Sequence, residues 1–194
     1  MRVITGSARG KKLKTLDGLD VRPTSDRVKE ALFSIVHFQL PGASVLDLFA
    51  GSGQLGIEAL SRGAAHCVFV DKSVASIDTV KENLTACGLY SDARVLHMDS
   101  LDYLVGAKSG LDIVFIDPPY RNGLVEKALP LLEPKLSCDA VVICEHEKEL
   151  VLPETVGRLV LKKQYRYGKI MLTAYEIPQD DEREDAPSEE EGAC

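Results

Sequence analysis

The 194-residue sequence contains no tryptophan, and no run of apolar residues approaches the roughly 18 residues that a membrane span needs. Its first residues, MRVITGSARGKKLKTL, lack the apolar core of a secretory signal, so we expect a cytoplasmic protein. The five cysteines are odd in number and include no C-x-x-C pair, which favours free thiols over disulfides or a zinc site. The four histidines show no ligand spacing, and we expect no metal.

The net charge of −7 is unevenly distributed along the chain. Residues 178–194 hold eight acidic residues and one arginine with little to bury, which predicts a disordered acidic tail. Residues 1–30 instead carry eight Lys or Arg against four acidic residues. A basic run is more often a solvated face than a binding site, but this one can also follow the phosphates of a nucleic acid, through Arg9, Lys11, Lys12 and Lys14.

Apolar segments alternate with amphipathic ones from residue 43 onward, which predicts a parallel sheet covered by helices. The predicted strands are SVLDLFA, HCVFVD, ARVLHMD, LDIVFID and AVVICE. The predicted helix 73–87 has an apolar side formed by Val74, Ile77, Val80 and Leu84. RLVLKKQYRYGKIMLTAYEI closes the chain as two strands joined at Tyr167-Gly168. We predict a Rossmann-like α/β domain over 43–177, with a mostly parallel seven-stranded sheet ending in an antiparallel hairpin, after an N-terminal extension over 1–42.

The stretch LDLFAGSGQLG, directly after the first predicted strand, contains a G-x-G-x-x-G sequence at Gly51, Gly53 and Gly56. Such a loop brings backbone N–H groups and a helix N-terminus close to a ligand. Asp71 follows Gly51 by 20 residues, at the end of the next strand, where a carboxylate can bind the two hydroxyls of a ribose. These features indicate an adenosine-containing ligand without choosing which one.

Asp47, four residues before Gly51, helps to choose the ligand. A carboxylate there would repel a pyrophosphate, whereas it would attract the amino group and sulfonium of S-adenosyl-L-methionine. The alternative is that Asp47 only braces the loop by accepting hydrogen bonds from its backbone N–H groups.

IDPPY, at the end of the fourth predicted strand, supplies the second candidate group. Ligands of open α/β sheets bind beyond the carboxyl ends of the strands, so Asp117 is predicted to face the same crevice as the glycine loop. Two prolines fix the backbone and present carbonyl oxygens. Asp117 and Pro118 can each accept a hydrogen from an exocyclic amine, and Tyr120 can stack on the base. The alternative is a proline-rich turn with a packed tyrosine.

These motifs resemble the Asp/Asn-Pro-Pro-Tyr/Phe amino-methyltransferases. The chain is more closely similar to the bacterial 16S rRNA guanine-N2-methyltransferase family, the small-subunit rRNA methyltransferase D type. The resemblance spans roughly residues 1–176. Its motifs are RVITGSARGKKL, RPTSDRVKEALF, VLDLFAGSGQLGIEAL, VDK, DSLDYL and IDPPY, of which RPTSDRVKEALF is the most specific to the family.

The resemblance implies a methyltransferase domain that uses S-adenosyl-L-methionine to methylate a guanine of 16S rRNA, alone or in the small ribosomal subunit, most simply as a monomer. It implies three groups of site residues. Asp117, Pro118, Pro119 and Tyr120 would be catalytic. The cofactor would be held by Asp47, Phe49, Gly51, Gly53, Asp71, Lys72, Asp99 and Ser100, with Asp102 competing for the place of Asp99. The RNA would be bound by Arg9, Lys11, Lys12, Arg22 and Arg121.

Three other functions stay open on the sequence alone. One is methylation of adenine N6, which is also an exocyclic amine, although such enzymes usually carry a further target-recognition domain. A second is a non-catalytic nucleotide-binding module or an NAD(P) oxidoreductase, in which Asp117 is structural. A third is an RNA-binding assembly factor whose methylation is incidental.

Overall fold

The structure is a computed structural model that describes residues 1–16, 26–120 and 122–178. The predicted RNA-binding residues Arg22 and Arg121, and the acidic tail beyond Pro178, lie outside these residues. The helices are α1 (Asp26–Ile35), α2 (Gln54–Ser61), α3 (Val74–Cys87), α4 (Ser100–Gly106) and α5 (Leu124–Leu132). The strands are β1 (Ser44–Asp47), β2 (His66–Asp71), β3 (Ala93–His97), β4 (Leu111–Ile116), β5 (Leu136–Glu147), β6 (Thr155–Val156), β7 (Leu159–Tyr167) and β8 (Ile170–Glu176).

Within the described residues all eight strands form one sheet, in the order β3-β2-β1-β4-β5-β8-β7-β6. β1 to β5 are parallel, and β8, β7 and β6 add antiparallel strands to the edge of β5. The predicted parallel sheet with a terminal hairpin is therefore confirmed. The eighth strand, which the sequence did not predict, is the two-residue β6, too short to give an apolar alternation.

The sheet is buried on both faces, as expected for parallel strands joined by crossover helices. On one face α1, α2 and α3 pack on alternate strand residues such as Val45 and Phe115. On the other face α4 and α5 cover the intervening residues, such as Leu46 and Val114. No helix of the described chain is long and apolar enough to cross a membrane.

Several local predictions differ from the structure. β1 ends at Asp47 and β3 ends at His97, before the ends of the predicted SVLDLFA and ARVLHMD. β5 begins at Leu136, four residues before the predicted AVVICE. The prediction missed this start because the first residues of the strand include the polar Ser137 and Asp139 and form no apolar run. Val74 was predicted on the apolar side of α3 but is 58% exposed. As the first residue of the helix it lies beyond the buried stripe of Ile77, Val80 and Leu84.

A buried ion-pair network fixes the start of the chain on α2. The Glu58 carboxylate is fully buried and accepts hydrogen bonds from the backbone N–H groups of Ile4 (2.8 Å) and Thr5 (3.0 Å). It also pairs with the fully buried Lys29 of α1 at 3.2 Å and with Arg62 at 2.8 Å. Lys29 in turn donates to the carbonyl of Arg2. One buried carboxylate thus joins the start of the chain, α1 and α2.

Removal of one partner from this network should be costly, because the other charge stays buried. We expect Lys29→Met to lower the free energy of unfolding by about 3–5 kcal/mol. Asp26→Asn is the control, since the Arg2–Asp26 pair is exposed (65% and 46% of the side chains) and should contribute about 1 kcal/mol or less. Urea denaturation measures both variants. Equal losses would contradict a structural role for the buried network.

Candidate active site at the carboxyl ends of β1 and β4

The glycine loop leaves β1 after Asp47 and enters α2 at Gln54. Both neighbouring strands hold it, since Leu48 N–H donates to Phe115 O (3.1 Å) and Ala50 N–H to Val70 O (3.0 Å). Gly53 caps α2 with φ +77°, a left-handed conformation that side chains disfavour. The loop is therefore fixed in place by its own backbone before any ligand binds.

The third glycine of the motif serves packing. A Cβ on Gly56 would lie 2.3 Å from the ring of Phe69 on β2, so only glycine lets α2 approach the sheet this closely. The N–H of Gly56 points back at the loop and donates to Asp47 at 2.9 Å.

Asp47 is 2% exposed and accepts this bond from Gly56. Burial, together with the charge of Asp71, raises the pKa of Asp47 from 3.8 to about 7, although the Gly56 N–H acts to lower it. The bracing role weighed for Asp47 from the sequence is thus present in the structure. Its role toward a cofactor stays a prediction.

Asp71 braces the same loop from β2. Its two carboxylate oxygens accept from Gly51 N–H and from Ser73 N–H, each at 2.8 Å. The side chain is half-buried, and each carboxylate oxygen can accept a second hydrogen bond. A bound pyrophosphate would need the N–H of Gly51 as a donor. This N–H already donates to Asp71 within the chain.

The remaining predicted cofactor residues lie around this loop. Asp99 is exposed and caps α4 by accepting from Leu101 N–H at 2.8 Å. The buried Ser100 donates its hydroxyl to Leu48 O at 2.6 Å, which ties the start of α4 to the loop. Phe49 is half-buried against the α4–α5 side of the core, and Lys72 is exposed after β2.

The Pro-Pro turn follows β4, the strand beside β1. Asp117 is partly exposed, Pro118 is buried, and Tyr120 is 41% exposed. The Tyr120 hydroxyl donates to Glu145 Oε1 at 3.2 Å. A cleft of about 250 Å³ opens at this turn, lined by Pro118, Pro119, Tyr120, Asn122, Gly123, Leu124, Val125, Glu126, Glu145, His146, Glu147 and Leu150.

Glu145, which the sequence analysis did not single out, lies inside this cleft. It is 3% exposed near the end of β5. The parallel pairing of β4 with β5 ends with Ile116 opposite Cys144, so Asp117 and Glu145 come next on neighbouring strands. The signal in the sequence was the charged last residue of the apolar run AVVICE, at the same sheet edge as IDPPY. His146, predicted to have no role, also lines the cleft and is bonded to Thr173 at 2.8 Å.

The carboxylates of the three strands act on each other. Burial, then the charge of Glu145, then that of Asp47 hold the pKa of Asp117 well above its usual range. Burial and Glu145 also raise the pKa of Tyr120, so its phenol stays a neutral donor. The charge of Asp47 thus contributes to the raised pKa of Asp117 across the β1–β4 edge. The residues that line the cleft come from the Pro-Pro side, so a cleft shared with the glycine loop stays a prediction.

The basic segment, residues 1–16, lies beside α2 and α3. Its first and last parts form a small antiparallel contact between Arg2 and Lys12, and Arg9, Lys11, Lys12 and Lys14 are all exposed. Asn83 of α3 accepts from Lys14 N–H (2.8 Å) and donates to Ser52 O (2.9 Å) of the glycine loop. The structure thus places the predicted RNA-binding lysines next to the predicted cofactor loop.

Comparison with known proteins identifies the family. The family described as Conserved hypothetical protein 95 matches residues 1–176. Ribosomal RNA small subunit methyltransferase D of Escherichia coli strain K12 is 36% identical over 178 residues, which are 91% of this chain and 89% of the relative. This chain belongs to the ribosomal RNA small subunit methyltransferase D family.

Two further relatives agree with this membership. YlbH of Bacillus subtilis, provisionally described as an rRNA methyltransferase, is 43% identical over 180 residues, 90% of this chain and 98% of the relative. The solved structure of yhhF from Escherichia coli, provisionally described as a methyltransferase, has a TM-score of 0.82 at 38% identity and covers 91% of this chain and 97% of its own. The family, the methyltransferase fold and the enzyme class predicted from the sequence are confirmed.

The charge of Asp47 should reduce stability at neutral pH. Because the folded state raises the pKa of Asp47 from 3.8 to about 7, the folded state binds its proton more tightly, and stability falls as pH rises between these values. Asp47→Asn removes this loss, so its stability relative to the wild type should be greater at pH 8 than at pH 5, by about 1–4 kcal/mol. Urea denaturation at both pH values measures the difference.

Asp78→Asn, a change at an exposed position of α3, is the matched control and should show the same offset at both pH values. A pH-independent offset for Asp47→Asn would mean that the Asp47 carboxyl is not perturbed as described.

Proposed function

We propose that this member of the family uses S-adenosyl-L-methionine to methylate the N2 amine of a guanine in 16S rRNA. The observation that carries the proposal is the Asp117-Pro118-Pro119-Tyr120 turn, which follows the strand paired with β1 and contributes Pro118, Pro119 and Tyr120 to a cleft. The relatives named as small-subunit rRNA methyltransferases support the RNA substrate.

The residues of the glycine loop fit a cationic cofactor better than a dinucleotide. The N–H groups of Gly51 and Gly56 donate to Asp71 and Asp47, so the loop presents carboxylates where a pyrophosphate would need donors. Asp47, Phe49, Gly51 and Gly53 would hold the methionine end of the cofactor. Asp71 and Lys72 would bind the ribose, and Asp99 and Ser100 would bind the adenine.

The cofactor supplies an electrophilic methyl group, and the chain must present a weak nucleophile to it. The lone pair of an exocyclic amine is delocalised into the base. Asp117 and the carbonyl of Pro118 would accept its two hydrogens and favour a pyramidal nitrogen. These bonds strengthen as positive charge develops on nitrogen, so they stabilise the transition state more than the ground state. Pro119 keeps the turn rigid, which holds the amine in position.

RNA binding would use the exposed basic segment and the aromatic ring at the cleft. Arg9, Lys11 and Lys12 would contact phosphates, and the same role is proposed for Arg22 and Arg121. A paired or stacked guanine must first be extruded, at a cost of a few kcal/mol. Stacking on Tyr120 would offset part of that cost, at roughly 1–3 kcal/mol per base. The proposal includes a monomer that acts in the cytoplasm.

The decisive experiment combines labelled methyl donor, small-subunit rRNA in naked and assembled form, and nucleoside mass spectrometry. We expect labelled N2-methylguanosine from the wild type. Asp117→Ala should lower this rate at least 100-fold while S-adenosylhomocysteine still raises the melting temperature, because Asp117 would bind the amine rather than the cofactor. Asp78→Ala, at an exposed position of α3, is the control and should leave the rate unchanged.

Recovery of N6-methyladenosine without N2-methylguanosine would reject the assigned base. Stabilisation by NAD rather than by S-adenosylhomocysteine would reject the cofactor.

A further inference from the structure

Glu145 is the feature of the cleft to which the reaction described above gives no role. This residue is only 3% exposed and lies one strand away from Asp117. A buried carboxylate costs free energy unless it is well bonded, and a second one beside it adds repulsion. Two acceptors on neighbouring strands suit a ligand whose edge brings two adjacent donors.

Guanine brings such a pair of donors. Its Watson–Crick edge carries the N1–H beside the N2 amine, so adjacent acceptors can bind both at once. Adenine, with its N6 amine at the same place, presents the N1 lone pair instead, which a carboxylate repels. Next to the reacting amine, guanine therefore presents a hydrogen-bond donor, whereas adenine presents an acceptor.

We infer that Glu145 accepts the N1–H of the target guanine, while Asp117 accepts from the adjacent amine, and that Glu145 thereby selects guanine over adenine. The inference rests on the proposed function. The strand register places the two residues next to each other on neighbouring strands, and Glu145 lines the cleft together with Pro118 and Tyr120.

Tyr120 orients the carboxylate of Glu145. Its hydroxyl donates to Glu145 Oε1 at 3.2 Å, which holds the carboxylate on the side of the ring on which the base would stack. A carboxylate can accept several hydrogen bonds, so a bond from Tyr120 is compatible with one from a base. Base stacking and edge recognition are thus coupled through one hydrogen bond.

The test changes the base and the residue together. The target nucleotide is first mapped with the wild type, and substrate rRNA is then assembled by ligation with guanine or 2-aminopurine at that position. 2-Aminopurine keeps the 2-amine but has a lone pair at N1. We expect the wild type to prefer guanine, in kcat/KM, by about 10- to 100-fold more than Glu145→Gln does, because the glutamine amide can donate to that lone pair. Comparison between the enzymes cancels the difference in intrinsic reactivity of the two amines.

Two variants separate recognition from packing. Tyr120→Phe removes the hydroxyl but keeps Glu145, so it should slow both substrates and leave most of the preference. Glu149→Gln, an exposed glutamate next to Lys148, should change neither substrate. If Glu145 only positions Tyr120, Glu145→Gln and Tyr120→Phe will slow both bases in parallel, and the inference is overturned.

If Glu145→Gln does not fold, the affinity of the wild type for the two RNAs in the presence of S-adenosylhomocysteine decides the question, because affinity does not depend on the reactivity of the amine. We expect tighter binding of the guanine RNA; equal affinities would overturn the role of Glu145 while leaving guanine N2 methylation intact. Absence of any N2-methylguanosine would instead overturn the proposed function itself.

Discussion

The parallel pairing of β1 with β4 is the constraint on which the site depends. β2 and β3 extend the sheet on one side of β1, and β4 and β5 extend it on the other, so the chain reverses its direction of growth between these two strands. Loops that follow strands on either side of such a switch point diverge and leave a crevice. Asp47 pairs opposite Phe115, two residues before Asp117, which brings the glycine loop and the Pro-Pro turn to one edge.

The crevice brings together carboxyl groups whose charged forms the fold disfavours. Asp47 and Asp117 both have raised pKa values, chiefly because burial removes them from water, and Glu145 adds to the effect at Asp117. Aspartates kept in such surroundings reduce stability at neutral pH. Under the proposed function, a cationic methyl donor and an amine-bearing base edge would recover this free energy on binding. The electrostatics therefore support the same function as the family membership, by an independent argument.

The fold was largely predictable from local patterns, because apolar runs and capping residues are short-range signals. Ser73 and Gly88 cap α3 as the pattern requires, and the hairpin turns at Gly168. The site was predictable where one motif carries its own context, as in IDPPY. Glu145 was not, because its proximity to Asp117 arises from the register of two strands more than 20 residues apart, and no local pattern encodes register.

The buried network at Glu58 shows the same limit and explains how two distant segments are coordinated. Glu58 and Asn83 lie on successive helices that flank the glycine loop, and each binds backbone groups of the N-terminal segment. Asn83 also binds Ser52 within the loop. Every residue other than proline has a backbone N–H group, so the sequence of residues 1–16 gives no sign that these groups are bound. Only the partner side chains, Glu58 and Asn83, specify the contact. The exposed lysines consequently keep a fixed position relative to the loop although they make few side-chain contacts themselves. Under the proposed function, a basic segment attached in this way would meet the RNA from a fixed position beside the glycine loop, rather than as a separate tether.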